Sequence, residues 1–371
     1  MARVSEASPA EGAIAERGGP VDETTRRVLV TGLSTYWGGR LAQALEADHD
    51  VETIIGVSPD DPSCPLERTE YVRVGTHHAL LRRIVQAAEI DTVIDTRLVV
   101  DTLQASARVA HEMNAIGTLN ILAACGGPDS PVRKVVVKSS AHYYGCERDD
   151  PAFFTESMQR PHPPRTRLES DILEAEKAVA GFADRNPDVT VTVLRFCNAL
   201  GPDQRTTHTE LFRLPAIPCI LGFDPRYQFI HEEDLVGVLR FAAESDLPGI
   251  YNAAGDGVLA LSEVASLLGR PLAPILPPWG TSLGAAALRP TGVRLPTEVL
   301  NQLRYGRGLD NRKLKGAGYN FGFTSREAVL KHGEALRVRG LQRGSGEPYR
   351  YEREVEEFLR WSPSVRRKGT V

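Results

Sequence analysis

The chain has 371 residues, 42% hydrophobic and 25% charged, enough to bury a large core in one or two domains. A net charge of −4 provides no basic face for nucleic acid, and the longest apolar runs fall far short of the roughly 20 residues that span a bilayer. No nucleic-acid partner and no membrane span are expected. Five scattered cysteines, odd in number and never spaced C-x-x-C, suit free thiols in a reducing, cytoplasmic setting better than a disulfide frame or zinc site. The pair His77-His78 holds neighbours that point in different directions, so no metal site is expected there.

Residues 1–26 lack the apolar segment of a secretory leader and read as a disordered extension. A strand over 28–30 then feeds a glycine turn, Gly32-Leu33-Ser34-Thr35-Tyr36-Trp37-Gly38, and a helix follows from about Gly39. Further strands are predicted over 53–57, 71–74, 92–95, 134–138 and 189–194, with helices over 80–88, 105–124 and 170–185. This alternation predicts an α/β fold, a doubly wound parallel sheet of Rossmann type over 27–200. Past residue 200, proline-bearing loops such as Leu214-Pro215 and Pro277-Pro278 separate shorter elements. They predict a smaller C-terminal substrate lobe over 201–340, whose strands interleave with the sheet or stand apart from it. Residues 341–371 read as a linker over 343–348, an amphipathic helix over 349–361 and a basic tail with Arg366-Arg367-Lys368.

A strand that hands over to a helix through glycines leaves helix N–H groups where a pyrophosphate can sit. The spacing departs from G-x-x-G-x-x-G at one place: Thr35 stands where the second glycine would let backbone approach the phosphates. Its hydroxyl is a candidate phosphate donor instead.

Five further blocks carry a resemblance. They are Asn114-Ala115-Ile116-Gly117-Thr118, Ser139-Ser140-Ala141-His142-Tyr143-Tyr144-Gly145, Arg195-Phe196-Cys197-Asn198-Ala199-Leu200-Gly201-Pro202, Phe229-Ile230-His231-Glu232-Glu233-Asp234 and Tyr251-Asn252-Ala253-Ala254-Gly255. In this order and at these separations the chain resembles extended short-chain dehydrogenases/reductases, in the NAD-dependent epimerase/dehydratase branch that includes UDP-galactose 4-epimerase. The resemblance runs from about Arg27 to Ala335. It implies NAD or NADP across the strand C-termini, a nucleotide-sugar in the cleft with the second lobe, and a homodimer. It also implies transient oxidation of the sugar: a tyrosinate takes the hydroxyl proton, a lysine four residues later favours the tyrosinate, and a serine bonds the reacting oxygen. A phenol with a pKa near 10 needs such a cation to act as a base at neutral pH.

On this resemblance Ser140 is the catalytic serine. Gly32, Ser34, Thr35, Tyr36, Trp37, Gly38, Ser58, Thr96, Asn114 and Ser139 fall on cofactor positions, and Asn198 and His231 on substrate positions. The tyrosine–lysine pair is absent: none of the ten tyrosines is followed by lysine four residues later. Its positions fall on Leu168 and Ile172, or on Thr166 and Ser170. Ser58 replaces the carboxylate that would hold the adenine ribose, Gly75 the aspartate facing the adenine, and Asp95-Thr96-Arg97-Leu98 a small H-x-A-A-like stretch.

Each surviving residue also has a structural reading. Gly32 and Gly38 satisfy turn geometry, Asn114 and Asn198 fix loops, His231 and Asp234 cap a helix, and Ser140 caps a strand end. His142, Tyr143 and Tyr144 are either packing or substitute acids and bases. Two functions remain open: a nucleotide-sugar epimerase, dehydratase or reductase with unusual acid/base groups, or a catalytically silent nucleotide-binding sensor or partner subunit.

Overall fold

The computed structural model describes residues 25–75, 77–101, 103, 105–277, 279–281, 285–286 and 295–342. The linker, helix and tail expected over 343–371 lie outside the described residues, as do residues 1–24. Strand β1 (Arg26–Thr31) opens the fold, two residues earlier than the apolar run suggested, because Arg26 N bonds Asp50 O at 2.9 Å. Helix α1 (Tyr36–Glu46) starts at Tyr36, not near Gly39, with Thr35 as its cap. There follow β2 (Val51–Ser58), β3 (Glu70–Arg73), α2 (His78–Ala87) and β4 (Thr92–Asp95).

The helix expected over 105–124 is not uniform. It divides into α3 (Ala107–His111), a widened π turn over Glu112–Ile116 and α4 (Gly117–Cys125). An inserted residue of this kind re-aims the side chains around it, and Asn114 lies in the widened turn. Next come β5 (Lys134–Ser140), α5 (Arg167–Arg185), β6 (Thr190–Phe196), β7 (Asn198–Leu200), α6 (Thr207–Arg213) and β8 (Ile217–Ile220). They are followed by β9 (Arg226–Tyr227), β10 (Phe229–His231), α7 (Glu232–Glu244), β11 (Gly249–Ala253), β12 (Leu259–Ala260), α8 (Leu261–Leu268) and β13 (Leu272–Leu276). Helices α9 (Thr297–Tyr305), α10 (Arg312–Gly316) and α11 (Ser325–Gln342) complete the described chain.

Seven strands form one parallel sheet in the order β3-β2-β1-β4-β5-β6-β11. This is the doubly wound Rossmann arrangement, and the chain past residue 200 contributes its last strand. Alternation along each strand sends Val28, Val30, Ile94, Val136 and Leu194 to the face covered by α1 and α7. Leu29, Val57, Val93, Val135, Val137 and Val193 go to the face covered by α2, α4 and α5. The valine run of β5 is therefore buried from both sides, as parallel strands require. A separate core around Leu200, Phe212, Ile217, Tyr227, Phe229, Leu261, Leu303 and Val329 builds the smaller lobe. The register Thr31↔Asp95↔Val137↔Val193 aligns the strand ends, and chain direction across the sheet reverses between β1 and β4, where such folds hold ligands.

Candidate functional site

The glycine turn is closed by its own side chains. Gly32 adopts φ +83°, and a Cβ there would lie 2.5 Å from Arg97 Cγ. A Cβ on Gly38 would lie 2.1 Å from Gly32 O, so only glycine fits. Thr35 turns inward: its hydroxyl donates to Gly32 O at 2.7 Å and accepts from Gly38 N at 3.1 Å. Its proton is thus engaged within the turn, which leaves the candidate phosphate donor without its free hydrogen. Ser58, 1% exposed, donates to Ser34 Oγ at 2.5 Å and accepts from Ser34 N at 3.3 Å. The loop after β2 lies against the same turn, with Ser63 Oγ donating to Thr35 O at 3.0 Å. Tyr36 reaches away and donates to Glu232 at 2.6 Å, joining α1 to α7. Burial and that carboxylate push its phenol well above the usual value.

At the end of β4, Arg97 grips Asp95 through Nε and a terminal nitrogen, both at 2.9 Å, and Thr31 donates to the same carboxylate at 2.8 Å. Burial alone would raise the Asp95 pKa, but the guanidinium and these hydrogen bonds hold it below the ordinary carboxylate value. Thr96 donates to Thr31 O at 2.8 Å. Asn114, fully buried, brackets the Val99 backbone: its NH₂ donates to Val99 O and its carbonyl accepts from Val99 N, both at 2.8 Å. Its position thus fixes the loop after β4.

Strand β5 ends in the two serines, which part company. Ser139 donates to Glu176 at 2.5 Å on the α5 side, and Glu176 forms a buried ion pair with Arg195 at 2.6 Å. The Arg195 guanidinium lies 3.4 Å from the Tyr143 ring centre and 4.7 Å from that of Tyr144. The Tyr144 hydroxyl donates to Asn252 at 2.9 Å, and burial raises its pKa further from a base's range. Ser140 accepts from His142 N at 3.2 Å and faces a cavity of about 50 Å³. Trp37, Lys138, His142, Asn198, His208 and Arg307 share its lining. Burial holds the His142 pKa well below the ordinary value and that of His208 at about 4, so both imidazoles are neutral at pH 7. His231 lies outside the lining: its Nδ1 accepts from Glu233 N at 3.3 Å and its ring is tilted 37° to that of Phe323, with the centres 4.1 Å apart. Ser139, Ser140, Asn198 and Trp37 therefore meet at the cavity, whereas Gly32, Ser34, Thr35, Gly38, Ser58 and Thr96 gather at the turn. Asn114 and His231 belong to neither group.

Residues 28–254 match the model of the NAD dependent epimerase/dehydratase family. The chain belongs to that family. Among curated relatives, the uncharacterized protein Rv0501 of Mycobacterium tuberculosis is 32% identical over 321 residues, covering 85% of this chain and 84% of the relative. Among solved structures, MoeE5 in complex with UDP-glucuronic acid and NAD superposes with a TM-score of 0.64 at 21% identity, covering 84% of this chain and 99% of that one. The UDP-N-acetylglucosamine 4-epimerase of Methanobrevibacter ruminantium M1 gives a TM-score of 0.64 at 15% identity, with 85% and 99% covered. These likenesses establish the fold.

In this epimerase/dehydratase family member, both assignments of the missing tyrosine and lysine fall on side chains that are neither a phenol nor an amine. Leu168 and Ile172 are buried in an apolar cluster with Leu98, Val99, Ala110 and Ala175. Thr166 instead caps α5, accepting from Glu169 N at 3.3 Å, while exposed Ser170 donates to Thr166 O at 3.1 Å. Lys138 and the Glu176–Arg195 pair are not among the site residues expected from the sequence. Lys138 carried a signal: it directly follows Val135-Val136-Val137 inside a strand buried on both faces, so its amine is buried too. Glu176 and Arg195 lie 19 residues apart and only the tertiary fold joins them.

Proposed function

We propose that this protein binds a nicotinamide dinucleotide, NAD or NADP, along the carboxyl edge of its sheet and a nucleotide-sugar beside Ser140, with hydride-transfer catalysis altered or lost. The observation that carries the reading is the apolar packing of Leu168 and Ile172, in a chain with no Tyr-x-x-x-Lys. The pyrophosphate end of the groove suits a dinucleotide because β1 hands over through the glycine turn to the N-terminus of α1, whose first N–H groups lie at that edge; Gly38 is needed there for packing, since a Cβ would lie 2.1 Å from Gly32 O. The ribose end lacks its carboxylate, and Ser58 bonds Ser34 in its place. When bound, the nicotinamide supplies a hydride acceptor. For the chain's own part, Gly32, Gly38 and the start of α1 hold the phosphates, and Ser140 bonds the reacting sugar oxygen.

Tyr144 supplies no tyrosinate to take the sugar proton, since burial raises its pKa above the ordinary phenol value against the lowering pull of Arg195 and of its hydrogen bond with Asn252. Losing a general base costs about 10²–10⁴-fold in rate. Calorimetry with NAD and NADP, mass spectrometry of the co-purified ligand, and turnover of UDP- and dTDP-sugars test the reading together. Binding with turnover depressed by about that factor, and lowered further in Ser140→Ala, is expected. Failure to bind either dinucleotide, or turnover at the rate of ordinary family enzymes, contradicts it. The pairing of Ser58 with Ser34 and of Arg97 with Asp95 favours, as a second reading, a silent sensor or partner subunit. That reading predicts binding with no turnover at all. A homodimer in a cytoplasmic setting remains our expectation from family membership, and light scattering tests the assembly.

A further inference from the structure

The cavity beside Ser140 contains more positive charge than its carboxylate can balance. Lys138 and Arg307 both line it, 3% and 8% exposed. Its acidic residue, Asp101, is already saturated: it accepts from Thr207 N at 2.6 Å, Thr207 Oγ1 at 2.7 Å and Leu103 N at 2.8 Å. Asp95, the carboxylate that acts on Lys138 through space, is held by Arg97 and Thr31. Among the described residues the Lys138 amine has one hydrogen bond, a long one of 3.4 Å to Leu98 O. An ammonium carries three donors, and a buried one with few partners is costly. His142 and His208, held neutral by burial, add no charge.

Lys138 and Ser140 stand two residues apart on β5 and so face the same side, about 7 Å apart along the strand. The volume of about 50 Å³ holds a few water-sized positions, the size of a carboxylate or one phosphate edge and not of a whole nucleotide. Resting on the nucleotide-sugar reading above, we propose that Lys138 binds an oxyanion of the ligand in this cavity, either the sugar carboxylate of a nucleotide-uronic acid or an oxygen of the diphosphate. The amine replaces no residue of the missing pair. It selects the ligand by charge, and Ser140 contacts the neighbouring oxygen. Burial, which draws the amine's pKa down to about 8, still leaves it mostly charged at pH 7.

Calorimetry on the full chain with UDP-glucuronic acid and UDP-glucose, in wild type and Lys138→Met, tests this. Removing one charge-assisted contact lowers affinity about tenfold to a hundredfold. A loss confined to UDP-glucuronic acid assigns the sugar carboxylate, and an equal loss for both ligands assigns the diphosphate. Affinities in Lys138→Met within about twofold of wild type for both ligands overturn the proposal. Thermal unfolding confirms that the variant folds, as expected when a buried charge is removed. A second readout does not need the nucleotide: the Lys138 Cε resonance in lysine-labelled protein, assigned by its loss in the variant, with D-glucuronate or inorganic phosphate added. Should wild type bind neither nucleotide-sugar, a shift of this resonance keeps the anion site while the nucleotide-sugar reading falls. An unmoved resonance in that case overturns the anion site as well.

Discussion

At the glycine-turn end of the sheet's carboxyl edge, polar side chains meet other protein groups: Thr35 meets Gly32 and Gly38, Ser58 meets Ser34, and Arg97 meets Asp95. At the β5–β6 end, the Ser139 hydroxyl enters a buried ion-pair network, while Ser139 and Ser140 both line a cavity shared with Lys138 and Arg307. The two ends share the carboxyl edge of one sheet and differ in what their polar groups meet. At the first, the side chains of the turn are engaged with one another and with neighbouring backbone. The second leaves Ser140, Lys138 and Arg307 lining a cavity.

The largest expected effect breaks the network behind the second end. Glu176→Gln leaves the Arg195 guanidinium buried without its counter-charge, at a cost of about 3–5 kcal/mol in urea unfolding. Replacing both partners by methionine should recover most of that loss; an equal loss in the double variant would show that the pair matters for packing alone. Gly38→Ala at the first end drives a Cβ into Gly32 O. It should cost about 2–3 kcal/mol and abolish dinucleotide binding if the turn still holds phosphates.

Next comes the pH dependence of Lys138. Its folded pKa of about 8 lies below the 10.5 of the unfolded chain, so the unfolded state binds more protons between these values. Stability contributed by this group is therefore complete above pH 10.5 and is lost as pH falls through about 8. The slope is at most about 1.4 kcal/mol per pH unit. Urea midpoints across this window should rise with pH in wild type, and the part of that slope due to Lys138 should vanish in Lys138→Met.

Smaller still, Thr35→Ala removes a helix cap at about 1 kcal/mol, whereas Thr35→Gly costs only a few tenths and restores the family's backbone approach. Calorimetry should show tighter NAD binding in Thr35→Gly than in Thr35→Ala; the opposite order would make the threonine hydroxyl a ligand contact. At the bottom of the scale, Gly75→Ala meets nothing within 4 Å and should change stability by less than about 0.5 kcal/mol.

The alternation of strands and helices was legible because buried parallel strands need continuous β-branched runs, as in Val135-Val136-Val137. The glycine turn was legible because Gly32 and Gly38 permit contacts closed to other residues. The division of the helix after β4 was not, since its π turn accompanies a side chain–backbone contact between Asn114 and Val99, 15 residues away. The role of Ser58 was equally hidden, whereas the helix cap was one of two readings of His231, which the structure places at the N-cap of α7. A serine near a ribose position and a histidine before a helix read the same in sequence whether they face a ligand or the protein, and only their partners, Ser34 and the Glu233 amide, distinguish the two.

By itself the sequence determined the sheet, its glycine turn and the absence of any Tyr-x-x-x-Lys, because periodicity, glycine spacing and residue identity are all local facts. Tertiary structure decided which polar groups face each other. Asp95 and Arg97 close one end, Glu176 and Arg195 bury a pair behind Ser139, and Lys138 reaches the Ser140 cavity with a single long hydrogen bond among the described residues. A buried charge takes its meaning from whatever stands within a few ångströms, and that distance is set by the packing of segments far apart in the chain.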